Sequence, residues 1–129
     1  MQQNSNYNNL ITDIIFEISE KIRKLKDLGV NDILIDPGFG FSKNIEQNYE
    51  LLSNLDSFQI FNLPVYVGLS RKSMAWKHLG ISPEESLYAT QTLNTIALLK
   101  GASIIRVHDV KPAKQLVQIL NKLNSAQKK

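Results

Sequence analysis

The chain has 129 residues, 43% of them apolar, 21% charged and none cysteine, with a formal net charge of +3. That is enough for one domain with its own core, without the concentrated Lys/Arg stripe of a nucleic-acid binder, a thiolate metal site or a disulfide. No apolar run approaches the roughly 20 residues of a membrane span, and the opening MQQNSNYNN has neither the basic nor the apolar segment of a secretion signal, so the expected location is the cytoplasm.

The first predicted element is a helix over 9–28. Ile11, Ile14, Ile15, Ile18, Ile22 and Leu25 recur at three- and four-residue steps and make one apolar stripe, and Gly29 follows as a stop. Ile33-Leu34-Ile35 then reads as a strand running into Asp36-Pro37-Gly38-Phe39-Gly40-Phe41. Ile45, Tyr49, Leu52 and Leu55 mark a second amphipathic helix, and Pro64 opens a second strand, Val65-Tyr66-Val67. A short helix is expected over 70–79, closed by Gly80. Ser82-Pro83-Glu84-Glu85 carries a capping residue, a proline at the first helical position and a carboxylate at the third, which predicts a helix from there to Lys100. Gly101 leads into a third strand at Ile104-Ile105, and a last helix is expected over 112–123, with the final residues disordered. The strand runs begin 32 and 39 residues apart, the spacing of βα units. A small open sheet and a fragment of a larger βα barrel both fit this pattern. A closed eight-stranded barrel takes about 250 residues.

Each strand run ends in chemically able residues. In parallel α/β proteins the ligand sits where strands end, so three such clusters can converge on one substrate. Asp36 ends the first. It reads either as turn chemistry or as a two-oxygen acceptor for a ligand edge with two adjacent donors, such as an aminopyrimidinone ring. Gly38 and Gly40 allow close backbone approach, and Phe39 and Phe41 could wall a flat site. The second cluster, Ser70-Arg71-Lys72-Ser73, is expected in a first helical turn, where unpaired N–H groups favour an anion and Lys72 and Ser73 add to it. The plainer alternative is a surface helix capped by Ser70, with Arg71 turned to solvent or a neighbouring loop. Two cations there oppose the helix dipole. In the third, Arg106 and His108 leave the same strand face and suit a phosphate or pyrophosphate. Alternatively Arg106 pairs with Asp109 or Asp36 and His108 is a satisfied core residue. His78 has no polar company and reads as structural.

The strings DPGFGF at 36–41, GLSRKSM at 68–74 and RVHDV at 106–110, in this order and spacing, resemble the dihydropteroate synthase family of pterin-binding (β/α)8 barrels. The resemblance runs from the first helix to the last and corresponds to the C-terminal half of such a TIM barrel, its last three strands with flanking helices. Met1-Gln2-Gln3-Asn4 resembles an internal stretch of the family. The chain is therefore expected to be one partial domain, 1–129, with the N-terminal half of the barrel absent.

The resemblance implies a transferase of folate biosynthesis that condenses 7,8-dihydropterin-6-methyl pyrophosphate with 4-aminobenzoate to give dihydropteroate and pyrophosphate. By the same resemblance Asp36, Lys72 and Arg106 bind the pterin and Arg106 and His108 hold the pyrophosphate. Lys72, Arg106 and His108 serve catalysis, and Gly40, Phe41 and Ser73 border the aminobenzoate. The family implies Mg2+, with its protein ligand in the missing half and none here, and a homodimer as the full-length enzyme. Ser42 stands where the family usually has a third glycine. Two other readings are a methyltetrahydrofolate-binding methyltransferase domain of the same superfamily, against which the SRKS and RVHD strings argue, and a non-catalytic fragment that docks on a full-length synthase.

Overall fold

In a computed structural model, which describes residues 9–40 and 42–127, the chain is α/β and mostly helical. Helix α1, Leu10–Asp27, is capped by Asn9, whose carboxamide oxygen accepts from the Thr12 amide at 3.2 Å. Helix α2, Ile45–Ser53, is shorter than the apolar pattern suggested, because Leu55 belongs to a separate 3-10 helix, Leu55–Phe61. Strand β1 is Tyr66–Val67 and strand β2 is Ile104–Ile105, with α3 (Ser73–Trp76), a 3-10 turn (Pro83–Glu85) and α4 (Leu87–Leu99) between them. Helix α5 spans Val110–Gln127, so the segment expected to be disordered is helical up to residue 127.

The strands are parallel, with Tyr66 opposite Ile104 and Val67 opposite Ile105. The expected first strand is reduced to one parallel bridge, Ile35 to Val65. The Ile35 amide donates to the Pro64 carbonyl at 2.8 Å and its carbonyl accepts from the Tyr66 amide at 2.7 Å. Among the described residues, 30–34 have no strand partner beyond that point, and an apolar run becomes a strand only where another backbone pairs with it. The three chain segments still lie side by side in sequence order, and their C-terminal ends open in one direction.

Two further departures have local causes. The Ser82 capping box forms, but Ser86 hydrogen-bonds back to the Pro83 carbonyl and separates the 3-10 turn from α4. The predicted helix over 70–79 shrinks to the four residues of α3, and it starts only at Ser73 because Arg71 adopts a left-handed φ of 60°. The Trp76 indole donates to the Arg71 carbonyl at 3.0 Å and holds that turn in place.

The core lies on one side of the strands. Ile35, Val65, Val67 and Leu69 pack with Leu10 and Ile14 of α1, Leu51 and Leu52 of α2, Phe58, and Leu93 and Ala97 of α4. Among the described residues the other side is bare: Leu34 is 56% exposed, Ile104 40%, and Tyr66 half-buried. Parallel sheets are ordinarily covered on both faces, and the outer edge of β2 offers no paired strand among the described residues.

Candidate active site

The strand ends bring the three clusters together. Asp36 is exposed, and its Oδ1 accepts from the Gly38 amide at 3.0 Å. The turn reading and the ligand reading of this carboxylate are therefore compatible, since Oδ1 keeps a second lone pair and Oδ2 adds two more. Gly38 and Gly40 have φ of 89° and 147°, values that side chains with a Cβ avoid. Phe39 is not a site wall: it is 6% exposed and belongs to the core. Phe41 lies outside the described residues.

Three side chains hold the carbonyls of this loop. Lys43 Nζ donates to the Gly38 carbonyl at 2.6 Å, and Lys72 Nζ to the Phe39 carbonyl at 2.7 Å. Asn48 Oδ1 accepts from the Gly40 amide at 3.1 Å while its amide nitrogen reaches the Gly40 carbonyl at 3.4 Å. Asn48 is 3% exposed. Neither Lys43 nor Asn48 was singled out from the sequence; the signal was a lysine just past a glycine loop and an amide one helical turn after the Asn44 cap. Replacing Asn48 with leucine keeps the branched shape but leaves the Gly40 amide and carbonyl without these partners. The expected cost is about 1–3 kcal/mol, read as a lower urea midpoint together with faster hydrogen exchange at Gly40.

Burial is the main cause that lowers the Lys72 ammonium below its ordinary 10.5, with Arg106 and Lys43 pushing the same way and Asp36 opposing them. Lys43 is lowered by burial, against Glu17 and Asp36. Asp36, Lys43, Lys72 and Arg106 thus share one field in which cations outnumber the carboxylate, a setting for an anionic ligand. Arg106 is exposed, with its guanidinium laid over Gly68. A Cβ there would stand 3.1 Å from both Nε and Nη2, so the glycine leaves the room the guanidinium occupies.

The second cluster is not the capped helical turn expected. Ser70 lies before the helix and does not cap it; Lys72 stands at the cap position and Ser73 opens α3. A four-residue helix carries little dipole, which removes the expected anion site at its start. Ser70 instead reaches across to the third cluster. Its Oγ lies 2.8 Å from His108 Nδ1 and accepts from the His108 amide at 3.3 Å. His108 is exposed, contrary to the core alternative. The pair does not read as a hydrolase dyad, because Ser70 is 5% exposed and its oxygen is engaged by a backbone amide. Asp109 pairs with Arg71 at 3.5 Å and leaves Arg106 free of it. Arg71 therefore points to the neighbouring loop, one of the two orientations expected. His78 packs edge-on against Tyr49, with ring centroids 5.4 Å apart.

Comparison with known proteins gives one answer. Residues 1–108 match the family model described as pterin binding enzyme. Dihydropteroate synthase of Escherichia coli K12 is 39% identical over 128 residues, covering 98% of this chain and 45% of that protein. The crystal structure of dihydropteroate synthase from Yersinia pestis superposes with a TM-score of 0.91 at 38% identity, over 97% of this chain and 52% of that one. The Thermus thermophilus enzyme in complex with 4-aminobenzoate gives 0.88 at 30% identity, over 93% and 49%. The chain spans about half the length of the relatives it matches.

Proposed function

The chain belongs to the pterin-binding enzyme family, and we propose that it is the C-terminal half of a dihydropteroate synthase, the last three strands of a (β/α)8 barrel with their helices. In this reading it contributes half of a site that joins 7,8-dihydropterin-6-methyl pyrophosphate to 4-aminobenzoate and releases pyrophosphate. The observation that carries the reading is the meeting of Asp36, Lys72 and Arg106 at adjacent parallel strand ends, within one electrostatic field.

Asp36, anchored by the Gly38 amide, accepts from the N–H and amino edge of the pterin. Lys72 exchanges its contact with the Phe39 carbonyl for the pterin carbonyl, and Arg106 lies over the ring. Gly40, Phe41 and Ser73 border the aminobenzoate. The carbon–oxygen bond at the pterin methylene breaks, its electron pair leaves with pyrophosphate, and the aromatic amine bonds to the methylene carbon and loses a proton. Charge develops on the departing oxygen, and Arg106 and His108 are the donors placed to stabilise it. Among the described residues no three His, Cys, Asp or Glu side chains gather as a metal site; the Mg2+ that the family resemblance implies belongs, in this reading, to the N-terminal half.

The bare sheet face supports the same reading, because a barrel interior needs the other strands to cover Leu34, Tyr66 and Ile104. No described helix is long and apolar enough to cross a membrane, which suits a cytoplasmic enzyme, and the family resemblance suggests a homodimer of the whole barrel. The test combines this chain with a separately expressed N-terminal half of the Escherichia coli relative and measures pyrophosphate release. Release that requires both halves and both substrates is expected. A co-eluting complex that binds pterin pyrophosphate but never releases pyrophosphate on addition of 4-aminobenzoate would sink the proposal.

A further inference from the structure

We propose that Ser70 is a positioning residue that holds the neutral His108 ring in the tautomer with its proton on Nε2, so that this N–H is presented to a phosphate oxygen. The inference rests on the reading of His108 as a pyrophosphate-binding group and adds to it a residue and a protonation state. The hydrogen-bond count carries it. The His108 amide can act only as a donor, and it engages Ser70 Oγ at 3.3 Å. Ser70 is 5% exposed, so its own O–H needs an acceptor inside the protein. Nδ1 of His108, 2.8 Å from Oγ, is an acceptor only when unprotonated. With the hydroxyl donating to Nδ1, the ring proton sits on Nε2, across the ring from Ser70, on an exposed residue beside Arg106.

The same two contacts fix position as well as tautomer. Oγ is bound at once to the backbone and to the ring of one residue, so the imidazole cannot turn about its side-chain bonds without losing a hydrogen bond. The arrangement also spans the strand ends, since Ser70 follows β1 and His108 follows β2. It makes the donor from one loop depend on a hydroxyl from another, 38 residues away.

The chain has two histidines, and His78, exposed and packed on Tyr49, serves as an internal reference. The experiment is a long-range 1H–15N correlation spectrum of the labelled 129-residue chain at a pH where imidazole is neutral. His108 is expected to show an unprotonated Nδ1 and a protonated Nε2 without averaging, and His78 an averaged pattern. In Ser70→Ala the His108 signals should collapse toward those of His78, and Ser70→Thr should restore them. Titration with inorganic pyrophosphate should move the Nε2–H signal, with affinity roughly tenfold weaker in Ser70→Ala. An Nδ1-protonated or averaged His108 in the parent chain overturns the proposal, and that spectrum decides even if Ser70→Ala fails to fold. Pyrophosphate that leaves His108 untouched while the Nε2–H tautomer is found removes the phosphate reading and supports the assignment of the tautomer.

Discussion

Replacing Arg106 with methionine in the enzyme assembled from both halves is expected to lower kcat by about a hundredfold to a thousandfold, while the fold stays intact. The size is that of losing one preorganised donor to a developing oxyanion, about 2.7–4 kcal/mol. The fold should survive because Arg106 is exposed and makes no ion pair among the described residues. Its guanidinium rests on Gly68, a contact that methionine can partly replace, and surface changes of this kind usually move stability by less than about 0.5 kcal/mol. Arg106→Lys should recover part of the rate, since it keeps a charge but loses the planar fork. Initial rates under saturating substrates, beside circular dichroism of the free chain, make the measurement. A kcat within about threefold of the parent, far short of the loss expected for such a donor, would show that the departing pyrophosphate is stabilised elsewhere.

The residues behind that prediction were legible in the sequence because their signal is local. Asp36, Lys72, Arg106 and His108 stand at the ends of short apolar runs, and the motifs that hold them are contiguous. What holds them in place was not legible. Ser70 reads as a helix cap until His108, far along the chain, is seen to take its hydroxyl. Arg71 reads as helical until its left-handed φ and the Trp76 indole are known. Lys43 and Asn48 act on carbonyls of a loop, and backbone acceptors leave no trace in a residue string. The fold divides in the same way. The apolar stripe of α1 was visible because a helix repeats within itself, whereas the run at Ile33–Ile35 predicted a strand and yields one bridge, because pairing depends on a neighbour the pattern does not contain.

The two sides of the sheet lead to a second large effect. Phe58→Ala should cost about 3–5 kcal/mol, as removing a buried aromatic ring does. Phe58 is fully buried in the 3-10 helix after α2, in a cluster with Leu51, Leu55, Val65 and Val67, so its truncation opens a cavity in the core. Domains of ordinary size hold only about 5–15 kcal/mol in total, so the variant should unfold at a much lower urea concentration. Leu34→Ala provides the contrast. Leu34 is 56% exposed on the bare face, and its truncation in the free chain should cost less than about 0.5 kcal/mol. If that face becomes barrel interior when the other half binds, the same truncation removes a buried side chain there, and the cost should rise to about 2–5 kcal/mol, read as weaker association of the halves. The Phe58 penalty belongs to a core already complete in this chain and should be the same with or without the partner half. Equal Leu34 penalties in both states would mean that the bare face is not where the other half docks.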